Sequence, residues 1–150
     1  MISNFLNEST IQLQLEAKNM EESIALAAKP LVENGSILEG YIDQMVNAVK
    51  ELGPYIVIVP GFALAHGRPS ENVIKQSMSM ATFKTPVIFG HESNDPVTTV
   101  MVIASPDDGG HVDALASVSK LLLNEAFMTT LKNTNDVREI MRYFEEDGNE

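Results

Sequence analysis

Ile11, Leu13 and Leu15 alternate with Gln12, Gln14 and Glu16, the two-residue period of a strand with one buried face. The period then lengthens. Asn19, with Glu22 three residues on, makes a capping-box-like start for a helix carrying Ile24, Leu26, Ala27 and Leu31 and ending near Glu33. Pro30 falls inside that pattern and is expected to kink it or open a new turn, and Asn34-Gly35 stops it. A second helix, from about Leu38 to Leu52, places Ile42, Met45, Val46 and Val49 on one face and breaks at Gly53-Pro54.

The middle of the chain reads as β-structure. Strands are expected at about 55–59 and 62–65, either side of the turn Pro60-Gly61, followed by an alternating stretch from Val73 to Phe83. Pro86 to Gly90 is expected as a turn or short edge element. Val97 to Ala104 is a continuous apolar run between Pro96 and Pro106, the pattern of a central strand covered on both faces. Helices follow at His111–Leu123, Glu125–Lys132 and Asp136 to about Glu145, and the acidic tail 145–150 is expected to fray in solvent. Strands in the middle with helices at both ends predict a single layered α/β domain over residues 1–150, built on a mixed sheet. No repeat, low-complexity segment or dividing linker interrupts it.

Composition narrows the function classes. The 150 residues are 44% hydrophobic, enough for one real core. The absence of cysteine excludes disulfides, thiolate nucleophiles and Cys-ligated zinc. The longest nearly uninterrupted apolar stretch, Tyr55 to Ala65, is far short of the ~20 residues a membrane helix needs, and the N-terminus lacks the basic start of a signal peptide. A cytoplasmic protein is expected. The formal charge of −11 argues against nucleic acid or anionic lipid as a partner and favours docking to a basic protein surface.

Candidate chemistry gathers at the end of the strand expected at 62–65, Phe62-Ala63-Leu64-Ala65-His66-Gly67-Arg68. A histidine there has a rigid mount, Gly67 permits close approach of backbone or substrate, and Arg68 supplies a planar charged fork for phosphate or carboxylate. A structural histidine satisfied in the core is the competing reading, and the residues alone leave both open. In Ser105-Pro106-Asp107-Asp108-Gly109-Gly110-His111, a core strand stops and a helix begins at or near His111. Its N-terminal amides, with Gly110 beside them, make an anion-binding pocket that His111 would face. The alternative is that Asp108 caps the helix, the glycines shape the loop and His111 is exposed. His91 lies in a polar loop and reads as a surface residue.

The spacings of His66, His91 and His111 match no local metal-ligand pattern. A Gly-x-Ser-x-Gly turn, a phosphate loop of the Gly-x-x-x-x-Gly-Lys type and a dinucleotide fingerprint are all missing. Group transfer through a histidine survives these eliminations.

The segment Gly53-Pro54-Tyr55-Ile56-Val57-Ile58-Val59-Pro60-Gly61-Phe62-Ala63-Leu64-Ala65-His66-Gly67-Arg68-Pro69 resembles the active-site segment of the enzyme IIA components of the bacterial phosphoenolpyruvate-dependent sugar phosphotransferase system. It is most similar to the mannitol/fructose superfamily and its ascorbate-type branch. Phe89-Gly90-His91 with Asn94-Asp95-Pro96-Val97 resembles that branch's loop before its next core strand. His111, followed by Leu115, Ser119, Leu121 and Leu122, resembles the family's second active-site histidine at the head of a helix. The match runs in order from about residue 10 to residue 142.

The resemblance implies a five-stranded mixed sheet flanked by helices. It also implies a cytoplasmic phosphocarrier without cofactor or metal. His66 would accept a phosphoryl group from the histidine phosphocarrier protein and pass it to a cysteine of an enzyme IIB partner, serving a membrane enzyme IIC indirectly. His111, Arg68, Gly67 and Gly110 would hold the phosphoryl oxygens. A homodimer is open to such a chain. Donor and acceptor need an open apolar surface around His66, with Phe62 and Leu64 as candidates if they face outward and Glu71, Asp107 and Asp108 at the rim.

Two departures from the family pattern stand out. The family has Pro before the histidine and Ala after it, where this chain has Ala65 and Gly67. The mannitol-type branch also carries an upstream arginine with no counterpart here, Lys50 being the nearest basic residue. The alternatives are a regulatory domain of the same fold that signals its phosphorylation state without a transport role, and a degenerate binding module. The sugar is not readable from the chain.

Overall fold

Five strands join in one mixed sheet of order β1–β4–β5–β3–β2. In the chain they are β1 (Ile11–Leu15), β2 (Val57–Val59), β3 (Phe62–His66), β4 (Ser77–Val87) and β5 (Val97–Ala104). Parallel pairs β1/β4 and β3/β5 alternate with antiparallel pairs β4/β5 and β2/β3. Helices α1 (Met20–Glu33) and α2 (Glu39–Leu52) cover one face, and α3 (Asp108–Leu121), α4 (Glu125–Asn133) and α5 (Val137–Gly148) the other. The computed structural model describes residues 4–148, with the side chains of all but His111 and 146–148. The expected layered α/β domain with a five-stranded mixed sheet is therefore present.

The strand period sorts side chains by size. Ala63, Ala65, Ala81 and Ala104 face α1 and α2, while Phe62, Leu64, Met78, Met80, Met101 and Ile103 face α3–α5. Small residues under α1 let it lie close to the sheet, where the buried Ser79 hydroxyl donates to the Ala27 carbonyl at 2.6 Å. β5 lies between β4 and β3 and is buried along almost its whole length, as its unbroken apolar run requires.

Local signals set most boundaries. Asn19 accepts the Glu22 N–H at 2.9 Å and starts α1, and Gly61, with φ of +79°, closes the β2–β3 hairpin. α1 runs on through Pro30 to Glu33. Proline cannot donate to the carbonyl four residues back, and the Gln12 side chain reaches across from β1 to donate to that Leu26 carbonyl instead, at 2.6 Å.

Other boundaries differ from the sequence expectation. Val73 makes only an isolated bridge with Ile37, and β4 begins at Ser77, opposite Ala104 where β5 ends. β4 then continues through Lys84-Thr85-Pro86 to Val87, and the register is irregular between Thr82 and Val87, where proline's missing donor is tolerated. α3 begins at Asp108 rather than His111, with Asp107 rather than Asp108 as its cap. The fraying expected for the tail falls on residues 145–150: α5 runs through Gly148, and 149–150 lie outside the described residues. Among the described residues no helix is long and apolar enough to cross a membrane.

Candidate functional site

β3 and β5 are parallel and end together, His66 beside Ile103. From there the chain leaves as Gly67-Arg68-Pro69 on one side and as Ser105-Pro106-Asp107 into α3 on the other. The carboxyl ends of parallel strands in an open sheet are where ligands collect, because the departing loops splay apart. A cleft of about 610 Å³ lies there, lined among others by Gln44, Tyr55, His66, Gly67, Arg68 and Asp108.

His66 is half-buried. Its Nδ1 stands 2.8 Å from the Leu64 carbonyl of its own strand. A carbonyl oxygen only accepts, so Nδ1 carries a hydrogen, and in the neutral ring Nε2 holds the lone pair. The Tyr55 ring meets the imidazole edge-on at 5.9 Å. Both contacts constrain the orientation of the ring.

The loop after His66 is held by α2. The Gly67 N–H donates to the Tyr41 hydroxyl at 2.8 Å, and that hydroxyl donates in turn to the Ile103 carbonyl at 2.8 Å. Tyr41 therefore ties the ends of β3 and β5 to the helix. Its side chain has no exposure, and burial pushes its hydroxyl pKa up to about 12, with the Gly67 N–H drawing it partly back down. One turn further on, Gln44 donates from Nε2 to the Arg68 carbonyl at 2.8 Å and accepts the Ser70 hydroxyl at 2.8 Å.

The predicted site residues divide accordingly. His66, Gly67 and Arg68 line the cleft together. Arg68 is exposed and makes no ion pair among the described residues. Gly110 lies in the first turn of α3, where its N–H donates to Asp107 at 2.7 Å and its carbonyl accepts from Gln76 at 3.1 Å. That amide already serves the helix cap. A side chain at Gly110 would collide with the Gln76 oxygen and stand 2.8 Å from the Ser105 hydroxyl. His111 follows in the same turn of α3, and its side chain lies outside those described.

His91 does not join them. Its Nδ1 accepts the N–H groups of Ser93 and Asn94, and Asn94 anchors the loop to Val57 and Gly61. Gly61 precedes β3, so this loop sits at the far end of the strand, five residues and roughly 16 Å from His66 at the usual strand rise. Lys50 is paired with Glu21 of α1 at 2.6 Å and does not line the cleft. Phe62 and Leu64, offered as docking surface, are buried against α3–α5; the exposed apolar groups at the cleft are Leu52 and Tyr55.

Sequence reasoning missed Tyr41 and Gln44. A tyrosine on the apolar stripe of α2, in step with Met45 and Val49, signals a buried hydroxyl in need of a partner. Its partner lies 26 residues away and leaves no local trace.

With this geometry in place, the chain belongs to the EIIA 2 family of the phosphoenolpyruvate-dependent sugar phosphotransferase system, whose family model matches residues 4–147. It is a phosphotransferase component, and the likeness first read at residues 53–69 extends along the chain. The ascorbate-specific EIIA component of Salmonella choleraesuis is 33% identical over 134 residues, covering 89% of this chain and 87% of that protein. The mannitol-specific cryptic phosphotransferase enzyme IIA of Escherichia coli superimposes with a TM-score of 0.84 at 26% identity, over 94% of this chain and 95% of that one. The Escherichia coli mannitol enzyme IIA, solved in complex with phosphorylated enzyme IIB, has the same fold, with a TM-score of 0.79 at 24% identity over 91% and 94% of the chains.

Proposed function

We propose that His66 carries the phosphoryl group, accepting it from the histidine phosphocarrier protein in the cytoplasm and passing it to a cysteine of an enzyme IIB. The observation that carries this reading is the 2.8 Å contact of Nδ1 with the Leu64 carbonyl at the open end of β3, which supports Nε2 as the nucleophile. The Nε2 lone pair forms the new P–N bond as the donor's P–N bond breaks and its electron pair returns to the donor ring. Nδ1 keeps its proton, and the Leu64 carbonyl stabilises the positive charge that develops on the ring.

Such a transfer needs alignment and stabilised oxygen charge more than proton chemistry. The Arg68 fork and His111 at the head of α3 are the groups proposed to meet those oxygens. The Gly67 N–H is already taken by the Tyr41 hydroxyl, so Gly67 acts by fixing the loop, as Gly110 acts by keeping the head of α3 close to Gln76. Ala65, where the family has proline, is held in the β3–β5 ladder opposite Val102, so hydrogen bonding stands in for a ring constraint. The ascorbate-specific relative supports an ascorbate-type system, and the mannitol IIA–IIB complex supports enzyme IIB as acceptor. The test is incubation with phosphoenolpyruvate, enzyme I and the phosphocarrier protein, followed by intact-protein mass measurement. The wild type gains one acid-labile phosphoryl group and His66→Ala gains none. A phosphorylated His66→Ala protein would overturn the assignment.

A further inference from the structure

We infer that Gln44 is a positioning residue for phosphoryl transfer, holding the loop after His66 by the Arg68 carbonyl and occupying the space that the bare Cα of Gly67 leaves. The inference rests on His66 being the phosphoryl carrier. Both ends of the Gln44 carboxamide are engaged, Nε2 on the Arg68 carbonyl and Oε1 on the Ser70 hydroxyl, on either side of Pro69. A Cβ on residue 67 would stand 3.0 Å from Gln44 Nε2 and 3.2 Å from Tyr41 Cε1. The Tyr41 ring cannot retreat, because it is fully buried with its hydroxyl between the Gly67 N–H and the Ile103 carbonyl. Gln44 gives way only by stretching its 2.8 Å bonds to the Arg68 carbonyl and the Ser70 hydroxyl. Gly67 and Gln44 are therefore a matched pair.

The consequence falls on Arg68. Its guanidinium is exposed and without an ion pair among the described residues, so the backbone that Gln44 holds is what limits where the fork can reach. Freeing that backbone widens the range of the fork relative to His66. The fraction of time in which both are aligned on one phosphoryl group then falls, and transfer depends on that alignment. A protein donor typically covers about 800 Å² of its partner, far more than this loop offers, so the effect belongs in the limiting transfer rate rather than in donor affinity.

The experiment is single-turnover transfer from the phosphorylated phosphocarrier protein at varied donor concentration. It compares the wild type with Gln44→Ala, Gln44→Glu, Gly67→Ala and the double variant Gln44→Ala/Gly67→Ala. Gln44→Glu keeps an acceptor for Ser70 but has no hydrogen for the Arg68 carbonyl, and it also adds a negative charge to the cleft. Gln44→Ala adds none, so a loss shared by both variants isolates the contact in question. Both Gln44 variants should lower the limiting rate about tenfold, with about a hundredfold as the upper bound for a misplaced group, while the half-saturating donor concentration stays near that of the wild type. Gly67→Ala should also be slow, and the double variant should lose less than the two single losses combined, the part of the strain against Gln44 being relieved and the part against Tyr41 remaining. Wild-type limiting rates in both Gln44 variants, or full additivity of the pair, would overturn the inference while leaving His66 as the carrier. A wild type that accepts no phosphoryl group would overturn the carrier reading and this inference with it.

Discussion

Tyr41 shows how much one hydroxyl can organise. It accepts from Gly67 beside His66 and donates to Ile103 at the end of the neighbouring strand, and the residue is fully buried. Tyr41→Phe leaves a buried N–H and a buried carbonyl unpaired, which should cost about 1–3 kcal/mol in urea unfolding at neutral pH. The alkaline limb gives a sharper check. The folded pKa of about 12 lies above the ordinary 10.0, so the unfolded chain loses this proton first. The contribution to stability is full below pH 10 and is lost as the pH rises towards 12. The gap between wild type and Tyr41→Phe should therefore narrow across that window; parallel profiles would show that the hydroxyl is not held as described.

At the scale of elements, the head of α3 joins a cap to a close approach. Asp107 accepts the Gly110 N–H, and Gly110 leaves room for Gln76, which precedes β4. Asp107→Ala should destabilise the protein by about 1 kcal/mol, as loss of a helix cap does. Gly110→Ala is more telling. Alanine is favoured over glycine in a helix by about 1 kcal/mol, yet here its Cβ meets Gln76 and Ser105 side-chain oxygens. We expect Gly110→Ala to lower the unfolding midpoint and Gln76→Ala to restore part of the loss. A raised midpoint in the single variant would show that α3 can move away from β4 without cost. The same glycines explain why the start of α3 was misplaced by sequence: Gly109-Gly110 reads as a loop, and only the Asp107 cap and the contact with Gln76 make it a helical turn.

The whole molecule carries a formal charge of −11, and its cleft is flanked by Glu51 and Asp108 beside the exposed Leu52 and Tyr55. Acidic groups around an exposed apolar patch suit encounter with a basic partner, and such charges act on association more than on dissociation. Raising salt from 0.01 M to 1 M shortens the screening length from about 30 Å to about 3 Å. Stopped-flow mixing with the phosphocarrier protein should then show association falling by a factor of about ten or more, as expected when electrostatic steering is lost, with dissociation nearly unchanged. Glu51→Gln with Asp108→Asn should flatten that dependence. Association indifferent to salt and to both substitutions would leave the acidity without a role in docking.

What the sequence by itself determined lies within a few residues of each position. The alternation at Ile11–Leu15, the Asn19 cap, the Pro60-Gly61 turn and the apolar run at Val97–Ala104 all became elements close to where they were expected. His66-Gly67-Arg68 stood out because strand end, glycine and guanidinium are adjacent in the chain. Periods, caps and turns are short-range and need no knowledge of neighbours. The tertiary structure alone decided which strand ends meet, that the Pro30 gap is filled by Gln12 from β1, and that Tyr41 and Gln44 hold the loop that follows His66. It also decided that Phe62 and Leu64 face inward, since strand periodicity separates the two faces without saying which helices cover each. A hydrogen bond across 26 residues is set by how the sheet is wound, and until the sheet exists neither partner carries a local sign of the other.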